Sequence, residues 1–217
     1  MSTAPKSHGP PPAPPRVVAV SGIVFAALFI TSLVLLRLAV PADSRDPGVW
    51  LADLTLRSWV RFSLNLIPFT GIAFLWFMAV LRNRIGSHED RLFATVFLGS
   101  GLLFVAMLFV STAIAVATLE TFAPEGHIPT QSETYAFGRR ISYTLMNTYA
   151  VKMAAVFIFV TSSIGLRTAF LPRWLAYIGF AAGLVLLLVI TDFAWIALLF
   201  PLWVLLVSTY ILVADIR

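Results

Sequence analysis

Residues 174–213 read WLAYIGFAAGLVLLLVITDFAWIALLFPLWVLLVSTYILV, and near the middle of this apolar run only Thr191-Asp192 interrupts it. As one helix the run would be about 60 Å long at 1.5 Å per residue. That is twice the roughly 30 Å hydrocarbon core of a bilayer. The run must therefore turn, and Thr191-Asp192 is the polar place to do so. Asp192 also suits the N-cap of the helix that follows. Arg173 before the pair and Arg217 after it frame a hairpin that crosses a membrane and returns.

The same length rule finds four further segments upstream. The six run approximately Val17–Val40, Phe62–Leu81, Leu92–Leu119, Ile141–Leu166, Trp174–Ile190 and Phe193–Val213. The predicted fold is an all-α polytopic transmembrane bundle of six helices, preceded by a Pro-rich tail over residues 1–16 that is expected to be disordered. Composition demands the same class. Of 217 residues, 59% are hydrophobic and 12% charged, with a mean hydropathy of +0.92. A soluble domain carries about 25% charged residues. The first segment is read as an uncleaved helix rather than a signal peptide: it exceeds a usual h-region, and Arg37 lies inside it.

Six crossings place both ends of the chain on one side. That side then holds Lys6, Arg16, Arg82, Arg84, Arg91, Arg167, Arg173 and Arg217. The other holds Arg37, Arg45, Arg57, Arg61, Arg139 and Arg140. The compact Arg82–Arg91 and Arg167–Arg173 loops read as cytoplasmic, so both termini are expected in the cytoplasm.

Between the segments, Asp46-Pro47-Gly48 marks a turn. Val49 to Phe62 then keeps helical spacing into the second crossing, with Asp53, Arg57, Arg61 and Asn65 at four-residue steps on one face. Thr130-Gln131-Ser132-Glu133 matches a capping box, and the fourth helix is expected to begin there. Ser87-His88-Glu89-Asp90 resembles such a start for the third. Pro68 and Pro201 fall inside the second and sixth segments, where proline removes a hydrogen bond and usually kinks the helix. Gly179 and Gly183 form a G-x-x-x-G pair that lets two helix backbones approach. Packing inside the bundle or homodimerisation would each account for it, and Ser111, Ala115 and Thr118 offer a similar small-residue face.

Several chemistries are excluded. With no cysteine there are no disulfides, thiolate metal sites or thiol catalysis. His8, His88 and His127 lie outside the apolar segments, so no membrane-embedded haem ligand pair exists, and no cofactor is expected. There is no P-loop, H-E-x-x-H, G-x-S-x-G or intramembrane acidic pair, so an enzyme is disfavoured and neither catalytic nor metal-ligating residues are assigned.

One charged side chain falls near the middle of a crossing. Lys152 ends a four-step polar stripe, Arg140, Thr144, Thr148 and Lys152, with Asn147 beside it. An ionisable group at that depth costs roughly 2.5 kcal/mol or more unless compensated. Arg57, Arg61 and Asn65 form a second stripe, and if the two face each other they enclose an outward-opening basic pocket. Three readings compete. In the first, which needs least, Lys152 snorkels or bonds to neighbouring Asn and Thr side chains. In the second, the pocket binds an anionic small molecule or lipid head group, in transport or lipid binding. In the third, Lys152 cycles a proton, but no Asp, Glu or His relay accompanies it.

The stretch Gly165 to Ala176, containing Leu171-Pro172-Arg173-Trp174-Leu175, and the stretch Phe200-Pro201-Leu202-Trp203 to Tyr210 resemble uncharacterised multi-pass membrane proteins of the actinobacterial type. The resemblance covers mainly the last 55 or so residues. It implies a bacterial inner-membrane location and no particular activity. The expectation is a multi-pass inner-membrane protein whose partners are the lipid bilayer and, through the basic pocket, an anionic ligand. The alternative is a non-catalytic membrane subunit acting through helix association, with a membrane partner protein or a copy of itself.

Overall fold

The structure, a computed structural model, describes residues 15–41, 48–85, 91–122, 132–188 and 195–216. The described residues contain helices and no strand. They form α1 (Pro15–Ala39), α2 (Leu54–Ile85), α3 (Arg91–Phe122), α4 (Glu133–Arg167), α5 (Arg173–Leu188) and α6 (Leu199–Ile216). Short 3₁₀ turns, Val49–Ala52 and Ile196–Leu198, precede α2 and α6. Five stretches are long and apolar enough to cross a membrane, and α5 is a shorter apolar helix of 16 residues. The chain therefore folds as a membrane-embedded helical bundle.

Several boundaries differ from the sequence reading for identifiable reasons. The run from Val49 to Phe62 is not one helix. Asp53 Oδ1 accepts hydrogen bonds from the amides of Thr55 (2.7 Å) and Leu56 (3.3 Å), so it caps α2 instead of extending it. The cap of α4 is Ser132, whose Oγ accepts from the Tyr135 amide at 3.2 Å; Glu133 sits in the first turn, where its charge suits the helix dipole. The capping box begun at Thr130 is thus displaced by two residues. Pro201 lies in the first turn of α6, where a missing amide hydrogen breaks no helical bond, so no kink is required there. Pro68 remains inside an uninterrupted α2. The proposed turn at Thr191-Asp192, the start at Ser87, the Pro-rich tail and the three histidines lie outside the described residues.

Hydrocarbon is as apolar as leucine, so close packing rather than water exclusion must hold these helices together. Phe25, Phe29, Phe74, Phe104, Phe157 and Phe200 come from α1, α2, α3, α4 and α6, and each is at most 2% exposed. Their ring centroids lie between 4.8 and 6.5 Å apart, many edge to face, the arrangement favoured by aromatic quadrupoles. Gly22 of α1 packs on Ser208 in the middle of α6.

The α4–α5 turn explains the Leu171-Pro172-Arg173-Trp174-Leu175 motif physically. Ala169 takes the left-handed conformation (φ 56°), and buried Leu171 packs against Gly165. Pro172 then stops any helical continuation. Because a Cβ is strained in that conformation, Ala169→Gly is expected to leave stability unchanged or raise it by up to about 1 kcal/mol. An equilibrium unfolding series checks this.

Gly179 and Gly183 are both buried inside the bundle. A side-chain carbon at Gly179 would overlap Ser162 Oγ of α4, and one at Gly183 would crowd the Phe159 ring. Both glycines therefore serve the α4–α5 contact. Gly179→Leu should cost about 1–3 kcal/mol or more by overpacking, read as a lowered thermal midpoint. An unchanged midpoint would place position 179 on an open face.

Candidate functional site

A cavity of about 130 Å³ opens where α1 ends, α2 begins, α3 ends and α4 begins. Its polar wall is built from Arg37 (α1), Trp50 (the 3₁₀ turn), Ser111 (α3) and Tyr135, Arg139, Ser142, Tyr143 and Asn147 (α4). Leu33, Leu64, Ile67 and Leu108 supply an apolar floor. A void of roughly 150 Å³ in a protein interior is large enough to hold benzene, so this one admits a small polar head with a few carbons.

Each polar group is held by its local structure. Gly48 has φ 87°, and a Cβ there would meet the Tyr135 ring; this is the position in the turn where a side chain does not fit. The turn it makes carries buried Trp50 under the cavity mouth. Ser111 Oγ and Ser142 Oγ each donate to the other's carbonyl oxygen, at 2.8 and 2.9 Å, which pins α3 to α4. Thr118 lies against Gly138 in the same contact. The small-residue face of α3 is thus the α3–α4 seam.

Arg37 dominates the electrostatics. Its Nη2 donates to Asn147 Oδ1 at 2.9 Å, and its guanidinium carbon lies 5.8 Å from the centroid of the Tyr143 ring. Asn147 Nδ2 in turn donates to the Tyr143 carbonyl at 3.0 Å. The Tyr143 side chain also hydrogen-bonds to Arg37, and among the described residues no carboxylate contacts it. A second guanidinium, Arg139, lines the same cavity and donates to the Pro41 carbonyl at 3.0 Å. Trp50 Nε1 is buried with no hydrogen-bond partner among the described residues. The cavity presents donors and positive charge above apolar walls, a composition suited to an anion with an apolar tail.

Of the eight residues expected at a basic pocket, Asn147 alone lines this cavity. Arg140, Thr144 and Arg61 are exposed, Arg57 and Thr148 are half-buried outside it, and Asn65 lies on a separate groove between α2 and α3. Lys152 points elsewhere: its Nζ donates to the Leu187 carbonyl at the end of α5, at 3.0 Å. The reason is a π-helical segment, Leu145–Ala150, inside α4. An extra residue in one turn rotates everything after it by about 100°. The four-step stripe Arg140, Thr144, Thr148, Lys152 is therefore not a face of the real helix. Asn147 turns inward to Arg37, and Lys152 turns to α5.

That contact has its own logic. The described part of α5, sixteen residues ending at Leu188, spans about 24 Å. The ammonium of Lys152 gives its Leu187 carbonyl a charge-assisted donor. Arg37 and Arg139 were visible in the sequence as arginines within or beside apolar segments. What was not visible is that four helix ends bring them together.

Among the described residues there is no group of three His, Cys, Asp or Glu able to hold a metal. Compared with family models, curated proteins and solved structures, the chain gives no match. The function must be read from the geometry.

Lys152→Met should lower stability by about 1.5–3 kcal/mol, the range for a charge-assisted hydrogen bond, and leave the Arg37 cavity intact. Thermal unfolding in lipid nanodiscs measures the first. Hexanoate titration measures the second, and a loss of binding there would return Lys152 to the site.

Proposed function

We propose that this protein binds an anionic amphiphile, a small carboxylate or phosphate carried on an apolar tail, in the Arg37 cavity. The observation that carries the reading is Arg37 itself: a guanidinium at the cavity wall whose partners among the described residues are the Asn147 amide oxygen and the Tyr143 side chain, with no carboxylate beside it. Guanidinium presents five donors in a planar fork matched to carboxylate and phosphate oxygens. Asn147 satisfies one of them. An arriving anion would accept from the remaining Arg37 donors and from Arg139, and the Trp50 indole would gain an acceptor. The apolar floor would take the first carbons of the tail.

Among the described residues that line this cavity, the cationic and donor groups suit binding, and binding is the role assigned. On the charge sorting given above, the cavity end faces away from the cytoplasm of a bacterial inner membrane. The ligand then comes from the outer aqueous phase or the outer leaflet.

The test is titration of hexanoate into the protein in lipid nanodiscs, with empty nanodiscs subtracted. Arg37→Gln should weaken hexanoate about tenfold or more, equivalent to about 1.4 kcal/mol. Arg61→Gln, at an exposed position away from the cavity, should leave affinity unchanged. Hexanol, which lacks the charge, should bind no better to wild type than to Arg37→Gln. Equal affinity of wild type and Arg37→Gln for hexanoate would end the proposal.

A further inference from the structure

Beside the cavity, α2 and α3 leave a lateral groove of about 410 Å³, lined by Leu64, Ile67, Pro68, Phe109, Ala113 and Val116 among others. Leu64, Ile67 and Thr112 line the groove and the cavity alike, so a wall of single side chains separates the two. Pro68, Phe109 and Ala113 are exposed on the groove side, within two helices apolar enough to cross a membrane. The groove therefore opens sideways, toward lipid.

We infer that this groove is the tail slot and lateral entrance of the Arg37 site, and that its occupant is the long hydrocarbon chain of a single-chain anionic amphiphile. The inference rests on the proposed function. Two observations support it. The first is size. The cavity holds about as much as a benzene-sized void, so a long chain whose head reaches Arg37 must leave through a wall, and the groove is three times larger and adjoins it. The second is charge. Arg37 and Arg139 line the cavity, whereas the groove carries the carboxylate of Glu120 and no basic residue. The head is attracted to one compartment and repelled by the other, which fixes the orientation: head in the cavity, tail across the Leu64–Ile67–Thr112 wall, remainder in the groove. Pro68 sits on that path, where its ring cannot donate to the Leu64 carbonyl. This loosens α2 at the residue forming part of the wall.

The groove is no more apolar than the lipid around it, so it selects by shape and reach. Filling it should therefore act on long chains alone. In nanodiscs, Ala113→Trp is expected to weaken oleate at least fivefold and to leave hexanoate within twofold of wild type. Ala106→Trp, on an exposed stretch of α3 outside the groove, should alter neither. As a second readout, a fatty acid with a mid-chain diazirine should label the peptide spanning 109–117 in wild type, and this labelling should fall in Ala113→Trp. If Ala113→Trp weakens neither ligand, or both equally, the groove is not a tail slot, while Arg37-dependent hexanoate binding would still stand. If hexanoate binding does not depend on Arg37, the proposed function has failed and the tail slot fails with it.

Discussion

Hydrocarbon offers no hydrogen-bond donors or acceptors, so each polar group inside a membrane bundle must find its partner within the protein. Most of the short polar side chains here solve the problem locally. Ser63, Thr70, Thr112 and Thr118 each donate to the carbonyl four residues earlier on their own helix. Others solve it between helices: Ser32 reaches the Ser63 carbonyl at 2.8 Å, and Ser111 and Ser142 satisfy each other. Lys152 is the demanding case, an ammonium on a helix apolar enough to cross a membrane. It is met across helices, by a 3.0 Å donation to the Leu187 carbonyl of α5.

Arg37 meets the same constraint and is left with an incomplete solution. Of its five donors, one finds the Asn147 amide oxygen and another the Tyr143 side chain, which also offers the face of its ring. A fixed positive charge with no carboxylate partner among the described residues, set at the rim of a cavity rather than in close packing, differs from Lys152 in what it leaves available. Lys152 is directed at a carbonyl. Arg37 is directed at a space. That contrast, and not charge in itself, separates a structural cation from a candidate binding group.

The helical class and five to six apolar helices were legible because they depend on apolar length, a property each segment carries by itself. The stop at Pro172 was legible from the proline itself. What failed were inferences that carried a strict helical period across a long segment. The Arg140–Lys152 stripe assumed uniform α-helix through Leu145–Ala150, where the chain adopts a π-helical turn. One extra residue was enough to separate Lys152 from Arg140 and to turn Asn147 toward Arg37. The cavity was illegible in a different way. Arg37, Trp50, Ser111 and Arg139 lie far apart in sequence, and no local pattern says that the ends of four helices converge. Arg37 did give a signal, an arginine within an apolar segment, but it read equally well as a marker of sidedness.

On the proposed reading, the two compartments divide the work between affinity and selection. A tail moving from bilayer to groove exchanges one apolar surrounding for another, so it gains little on entering. A carboxylate moving from the interface to Arg37 exchanges water for a charge-assisted bond in a medium of lower dielectric, where the attraction is stronger but the desolvation larger. The balance favours binding only because the guanidinium has already lost much of its own hydration in the folded protein. Folding has met that part of the penalty in advance, through the Asn147 contact that the π-helical turn makes possible. The irregular turn in α4 would thus set both the stability of the empty site and the affinity of the filled one. It places Asn147 where Arg37 can be held without being neutralised.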